Sequence, residues 1–349
     1  MPNNSTEIFD DIFLQSDKLE VATIITLLTS TLSFIGSGSI VLCVILHRRV
    51  CATEIFPIFH LSVANFFSSL FLMVLCCLFL AGHPSYPGPQ GPCGYILAVT
   101  MSLFICTFLL TLSYALEAFI RLHRRLQSYV SLEGFRTEGI NNNCMYLMYF
   151  LSWTLPIALG IFLMLVTHFI KDEDDGSLYD IIPKECSLCF PAFVAQRHFC
   201  WAQVKEGNLW LLMYKLIFLL PLLFVFIVNM VLYLCIARDY RHVSMRRGLL
   251  SYHQRQEEMT LRKKAILYQT AFIICWIPTL ILQSLSFYES FVMKDNYWLF
   301  ILQSLLGPLQ GLLNCIIYGW KRSSFRRALT ESSQLLSTNR GGAGMSYTL

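Results

Sequence analysis

Charged side chains are scarce in this sequence. Asp, Glu, Lys and Arg make up 14% of its 349 residues, where a soluble globular domain carries about 25%. That scarcity argues against a fold with a hydrated surface on all sides. The formal net charge of +4 is too small to indicate a nucleic-acid partner. A basic-then-apolar leader is missing, because positions 1–20 are polar and acidic, so no cleavable signal peptide is expected and the first apolar stretch serves as its own insertion signal. Internal repeats are missing too, and seven apolar stretches cannot be halved evenly, which weakens an inverted-repeat transporter. The eight histidines (His47, His60, His83, His123, His168, His198, His242 and His253) stand at the ends of those stretches or between them, on both faces. No catalytic or metal-binding set assembles from them, and neither enzyme activity, a cofactor nor a metal is expected.

Apolar residues are abundant, at 55% with a mean hydropathy of +0.56. They gather into seven blocks, near Val21–His47, Pro57–Ala81, Cys93–Ile120, Met145–His168, Asn208–Ala237, Ala265–Tyr288 and Tyr297–Trp320. Each block is long enough, at 1.5 Å per residue, to cross about 30 Å of hydrocarbon. Lipid tolerates no unpaired backbone group, and runs this long and continuously apolar form helices instead of the short alternating strands of a barrel. The expected fold is an all-α membrane protein with seven transmembrane helices over 21–320. A polar tail, 1–20, precedes it, and a cytoplasmic segment, 321–349, follows with a short amphipathic eighth helix.

Lys and Arg in short loops remain cytoplasmic. Of 26 basic residues, 19 lie in the first, third and fifth connections and the carboxy-terminal tail, six lie on the opposite side, and Lys215 falls inside the fifth block. The amino terminus is therefore expected outside the cell or in the lumen, with the carboxy terminus cytoplasmic and the plasma membrane as the location. Asn3 and Asn4 head two overlapping glycosylation sequons that are usable only on the outer side. The basic stretch from Arg238 to Lys264 reads either as topological charge attracted to anionic membrane lipid or as a docking face for a cytoplasmic partner.

Four of the thirteen cysteines face the oxidising side: Cys93, Cys186, Cys189 and Cys200. They allow three pairings. Cys93–Cys200 is preferred, because it ties the long loop 169–207 to the bundle and closes a loop of over a hundred residues, with Cys186–Cys189 as a local second bridge. The remaining cysteines are expected as small apolar packing residues.

The sixth block contains Phe272-Ile-Ile-Cys275-Trp276-Ile-Pro278. Proline within a helix removes one backbone hydrogen bond and clashes with the preceding turn, so a bend is expected with the indole beside it. Phe-x-x-Cys-Trp-x-Pro resembles the sixth-helix pattern of rhodopsin-like G-protein-coupled receptors. Cys93, 24 residues before Glu117, resembles the disulfide cysteine and the acid that opens an Asp/Glu-Arg-Tyr motif; here Ala118 and Phe119 follow, and the arginine is displaced to Arg121. Leu61-Ser-Val-Ala64-Asn65 resembles Leu-x-x-x-Asp with Asn for Asp. Asn314-Cys315-Ile-Ile-Tyr318 resembles Asn-Pro-x-x-Tyr with Cys for Pro, and Phe325 stands where the eighth helix of such receptors carries its Phe. Trp153-Thr-Leu-Pro156, Cys200-Trp201, Pro221 ahead of Asn229, and Gln310-Gly311 look instead like secretin and adhesion receptors. The mixture, with Gly36-Ser-Gly38-Ser in the first block, is most similar to the orphan receptor-like family of transmembrane protein 116.

The resemblance implies an activation switch of Phe272, Trp276, Pro278, Glu117, Arg121, Asn314 and Tyr318. In a receptor, Glu117 would be a protonation-sensitive lock at the cytoplasmic face; in the plainer reading, Glu117 and Arg121 merely close on each other at i, i+4. Asn65, Thr107, Gln310 and Asn314 are expected to converge at mid-depth as a neutral hydrogen-bonded network that holds no sodium, since no carboxylate stands among them. The resemblance also places an upper pocket of Thr100, Met101, Phe104, Lys215, Gln283 and Ser304, near Trp276. Thr100 stands where aminergic receptors carry Asp, which disfavours a biogenic amine. Pro308 stands where opsins carry their lysine, which excludes covalent retinal. Lys215 is expected to reach towards the interface, with contact to an acidic ligand group as the alternative. The function implied is an orphan receptor whose unknown ligand, from outside the cell or from the membrane, moves the sixth helix and engages a heterotrimeric G protein. The alternatives are a receptor-like protein without G-protein coupling and a small transporter or channel, although a transporter should show paired charges at mid-membrane.

Overall fold

In the computed structural model, the described residues are 4–46, 56–81, 92–130, 142–173, 207–245, 252–287 and 296–320. They are helical almost throughout: α1 Asn4–Leu46, α2 Phe56–Leu80, α3 Pro92–Val130, α4 Asn142–Glu173, α5 Gly207–Met245, α6 Tyr252–Leu285, α7 Tyr297–Leu306, a 3-10 turn Gly307–Leu309 and α8 Gln310–Trp320. Seven stretches are long and apolar enough to cross a membrane: Lys18–Leu46, Phe56–Leu80, Tyr95–Arg121, Cys144–Leu165, Lys215–Cys235, Ala265–Leu285 and Tyr297–Tyr318. Each agrees with a block read from the sequence to within a few residues at most ends. The fifth differs most, because Asn208–Tyr214 precede its apolar span while belonging to the same helix. The first helix also runs back to Asn4 through the segment read as a polar tail. The amphipathic helix expected after 320, with Phe325, lies outside the described residues, as do Asn3, Cys186, Cys189 and Cys200.

On the outer helices the distribution of polarity is the reverse of that in a soluble protein. On α1 the buried face carries Thr23, Thr26, Thr29, Ser30, Ser33 and Ser37, while Leu28, Leu32, Ile35 and Leu42 face outward. Phe150, Leu155 and Phe162 on α4 and Leu220, Phe224 and Ile227 on α5 are likewise exposed. Water would not tolerate so much contiguous apolar surface, whereas lipid tails are as apolar as Leu, so outward-facing leucines cost nothing there. The inward hydroxyls satisfy themselves on the preceding turn: Thr23 donates to the Leu19 carbonyl at 2.8 Å, Thr26 to Ala22 at 2.8 Å and Ser37 to Ser33 at 2.7 Å.

With no hydrophobic drive between helices in lipid, close packing must hold them together. On the α1–α8 seam, a Cβ added at Gly36 would lie 2.9 Å from the Leu312 Cα. One added at Gly311 would lie 2.4 Å from the Ser33 hydroxyl oxygen. The two glycines let the backbones approach, and Ser39 meets the Cys315 thiol at 3.2 Å beside them. A similar approach joins α4 to α3, where Gly160 faces Ser102.

Helix α3 is the axis of the bundle and packs against α2, α4, α5 and α6. The main core gathers Leu72 of α2, Phe104 and Phe108 of α3, Phe218 and Leu222 of α5, and Phe272 and Trp276 of α6. Proline occurs inside α4, α5 and α6, at Pro156, Pro221 and Pro278, and all three helices continue through it. The seventh span does not. Gly307 and Pro308 interrupt it with a 3-10 turn, since proline contributes no backbone donor, and a 3-10 stretch within a helix is a common place for a hinge.

Candidate functional site

The buried centre of the bundle is aromatic. The Trp276 indole meets Phe108 edge to face at 4.5 Å and Phe104 at 5.3 Å, and Phe108 in turn contacts Phe218 at 5.6 Å and Phe272 at 6.0 Å. Such edge-to-face contacts add about 0.5–1.5 kcal/mol each beyond area burial. An indole N–H buried in this surrounding needs a partner. It donates to the Gln310 side-chain oxygen at 2.7 Å, and the Gln310 amide donates to the Thr111 hydroxyl at 3.4 Å. The break at Gly307–Leu309 makes Gln310 the first residue of α8, so one amide joins α3, α6 and the lower half of the seventh span.

The mid-depth residues expected to converge are distributed more locally. Thr107 turns its hydroxyl back to the Phe104 carbonyl at 2.7 Å, and Thr111, one turn on, is the α3 residue that Gln310 meets. Asn65 borders Gly311, its Cβ 3.4 Å from where a Gly311 side chain would begin. The side-chain nitrogens of Asn65 and Asn314 are buried with no hydrogen-bond partner among the described residues. The backbone carbonyl of Asn314 accepts from the Tyr268 hydroxyl at 3.4 Å, and Tyr318 packs nearby with Ile40, Ile58 and Tyr268.

The upper-pocket residues share the end of the bundle where α1 enters its span, called here the Lys18 end. Thr100, Met101, Phe104, Lys215, Gln283 and Ser304 are all buried. The Thr29 hydroxyl donates to the Ser304 carbonyl at 3.1 Å, linking α1 to α7. Tyr297 donates to the Lys18 carbonyl at 2.9 Å, and the Lys18 ammonium sits 5.3 Å from its ring centre. Lys215 reaches towards this end, yet is only 6% exposed.

At the opposite end, Glu117 accepts from Arg121 one turn along α3. Its second oxygen accepts from the Tyr149 hydroxyl of α4 at 2.5 Å. The Tyr149 ring stacks on His60 of α2 at 5.7 Å, and His60 accepts the Trp153 indole N–H at its Nδ1 at 3.2 Å. Phe56 closes this group edge-on to both His60 and Tyr149. The Glu117 group therefore binds α3 to α4, with α2 packed against them. Tyr149 went unremarked in the sequence, and His60 was read only as one of eight histidines that assemble no site. The one signal for them was the spacing of Tyr149 four residues before Trp153, which puts both on one face of α4. Among the described residues, no three His, Cys, Asp or Glu side chains come together as a metal site.

Seven apolar spans, an inverted polarity and a bonded aromatic centre define a multi-pass seven-helix membrane protein. Over residues 19–339 the chain matches the family of Transmembrane protein 116, and it belongs to that family. It is also similar to two curated proteins of Dictyostelium discoideum. It is 25% identical over 290 residues to Cyclic AMP receptor-like protein C, covering 80% of this chain and 67% of that protein. It is 26% identical over 238 residues to Cyclic AMP receptor-like protein A, covering 64% of this chain and 59% of that protein. The chain is a receptor-like seven-helix membrane protein.

Proposed function

We propose that this protein is a receptor. A ligand held near the Lys18 end shifts α6 about Pro278 relative to α3 and α8, and a heterotrimeric G protein engages the Glu117 end. The carrying observation is the Trp276–Gln310–Thr111 contact, which joins three spans directly beneath the pocket residues and beside the break at Gly307–Leu309. Movement of α6 relative to α8 strains that bond, so ligand contacts that favour one arrangement bias the whole bundle. The similarity to proteins named as cyclic AMP receptor-like favours a small ligand over a protein hormone. Under this reading the amino terminus is extracellular and glycosylated at Asn3 or Asn4, Cys93 pairs with Cys200, Cys186 pairs with Cys189, and the receptor works at the plasma membrane.

A second reading keeps the receptor-like bundle without G-protein coupling. It is favoured by the Glu117 group: Ala118 stands after the acid, and Glu117 is bonded within α3 and to α4. A cellular panel of G-protein activation separates the two, comparing the wild type with Gln310→Leu and Trp276→Ala at matched surface expression. Coupling predicts a basal signal that both substitutions change. Silence across every G-protein class, with full surface delivery, selects the second reading.

A further inference from the structure

A lysine at the end of a transmembrane helix ordinarily extends its stem along the helix and leaves its ammonium in water. Lys215, the first residue of the fifth span, does the first without the second. Its ammonium donates to the Ser286 carbonyl at 2.8 Å and lies 5.5 Å from the Phe287 ring centre. Ser286 follows the last residue of α6, where carbonyls carry partial negative charge from the helix dipole. Both partners are formally neutral. Among the described residues the ion pair that forms is Glu117–Arg121, at the other end of the bundle, and no described carboxylate pairs with Lys215. A cation held in a low-dielectric interior pairs with other charges or with backbone carbonyls, and here the Ser286 carbonyl takes one of the three donors of the ammonium.

The surroundings supply a second observation. The hydroxyl of Thr279, 0% exposed, and the side-chain oxygen of Gln303, 7% exposed, have no hydrogen-bond partner among the described residues. Thr279 lies on α6 two turns before Ser286, its hydroxyl oxygen 4.0 Å from where a Gly307 side chain would begin. Gln303 lies one turn before Gly307 on α7. Thr279 stands one turn after Trp276 on α6, and the Trp276 indole meets Phe104 in the buried cluster that also holds Met101.

We infer that this site takes a small ligand bearing one anionic group, a carboxylate or phosphate, which pairs with the Lys215 ammonium while polar groups of the ligand meet Thr279 and Gln303 and its apolar body rests on that aromatic cluster. The inference rests on the receptor reading for the location of the ligand, and it specifies the chemistry. A single fixed cation selects charge and leaves the rest of the ligand to shape.

The test uses the full chain in nanodiscs of phosphatidylcholine at constant ionic strength, with thermal unfolding followed by tryptophan fluorescence. Cyclic AMP and inorganic phosphate serve as anionic probes, adenosine as an uncharged counterpart, and discs containing phosphatidylglycerol as the lipid source of the same charge. An anion is expected to raise the unfolding midpoint by several degrees where adenosine does not. The shift is retained in Lys215→Arg and lost in Lys215→Gln and Lys215→Met. A response to cyclic AMP or phosphate identifies a soluble ligand, and a response only to phosphatidylglycerol identifies a headgroup. The inference is overturned if no anion shifts the wild type beyond adenosine, a comparison that needs no variant to fold. It is equally overturned if Lys215→Met responds as the wild type does. G-protein activation is read separately: an anion response with silent coupling removes the coupled-receptor reading and leaves the anion site, and active coupling without an anion response does the reverse.

Discussion

Trp276 and Gln310 are bonded across 2.7 Å, indole N–H to amide oxygen, and both side chains are buried. Trp276→Phe strands the Gln310 acceptor and Gln310→Leu strands the indole donor, so each single substitution should destabilise the bundle by about 1–3 kcal/mol. The double variant should cost less than the sum. Coupling energies between hydrogen-bonding partners in membrane proteins average about 0.6 kcal/mol and reach about 1.7. A cycle of four unfolding curves in detergent measures this value, and strict additivity would show that the bond contributes nothing.

The glycines of α1 should differ in their tolerance. At Gly36 a new Cβ meets the Leu312 backbone at 2.9 Å, whereas at Gly38 it meets the Phe66 ring at 3.2 Å. A ring can turn and a backbone cannot do so without moving a helix. Gly36→Ala is therefore expected to cost about 1–3 kcal/mol, with Gly38→Ala distinctly milder, as read by thermal inactivation in the same detergent.

Tyr149→Phe keeps the ring that stacks on His60 and removes the hydroxyl that serves Glu117. A hydrogen bond to a charged group is worth about 1.5–3 kcal/mol, and the expected loss of stability falls in that range. Phe in place of Tyr149 leaves the Arg121 contact intact, so Glu117→Gln should have a smaller effect in the Tyr149→Phe background than in the wild type. Equal effects in both backgrounds would mean that the tyrosine hydroxyl and the acid act independently.

The proposed outward amino terminus would make the two sequons accessible to the glycosylation machinery. Treatment with an amidase that removes N-linked glycans should increase gel mobility of the wild type from cells, and Asn3→Gln with Asn4→Gln together should abolish the shift. An unchanged wild-type band, combined with labelling of an amino-terminal epitope only after permeabilisation, would invert the topology.

Much of this is legible in the amino-acid sequence. Leu28, Ile35 and Leu42 needed no partners to be read as part of a span, because a run of apolar residues partitions into hydrocarbon whatever lies beside it. Trp276 and Pro278 stood out through their pattern, and Gln310 and Asn65 through being polar within apolar runs. Their partners were hidden. Thr111, and not Thr107, meets Gln310, and nothing along the chain announced that Tyr149 would reach Glu117. Pro308 was read only against covalent retinal, and the break it makes with Gly307, which places Gln310 at the head of a separate helix, was not foreseen.

The sequence alone determined the number of spans, their approximate ends and the solvent they require, since those follow from local composition and length. Tertiary structure decided which buried polar groups meet. Each residue turns a helix by about 100°, so a small rotation or shift of register brings a different face to the same neighbour. Lys215 illustrates the division: its position in the chain marked a cation near the end of a span, and only the packing of α5 against the end of α6 turned that cation inward onto the Ser286 carbonyl.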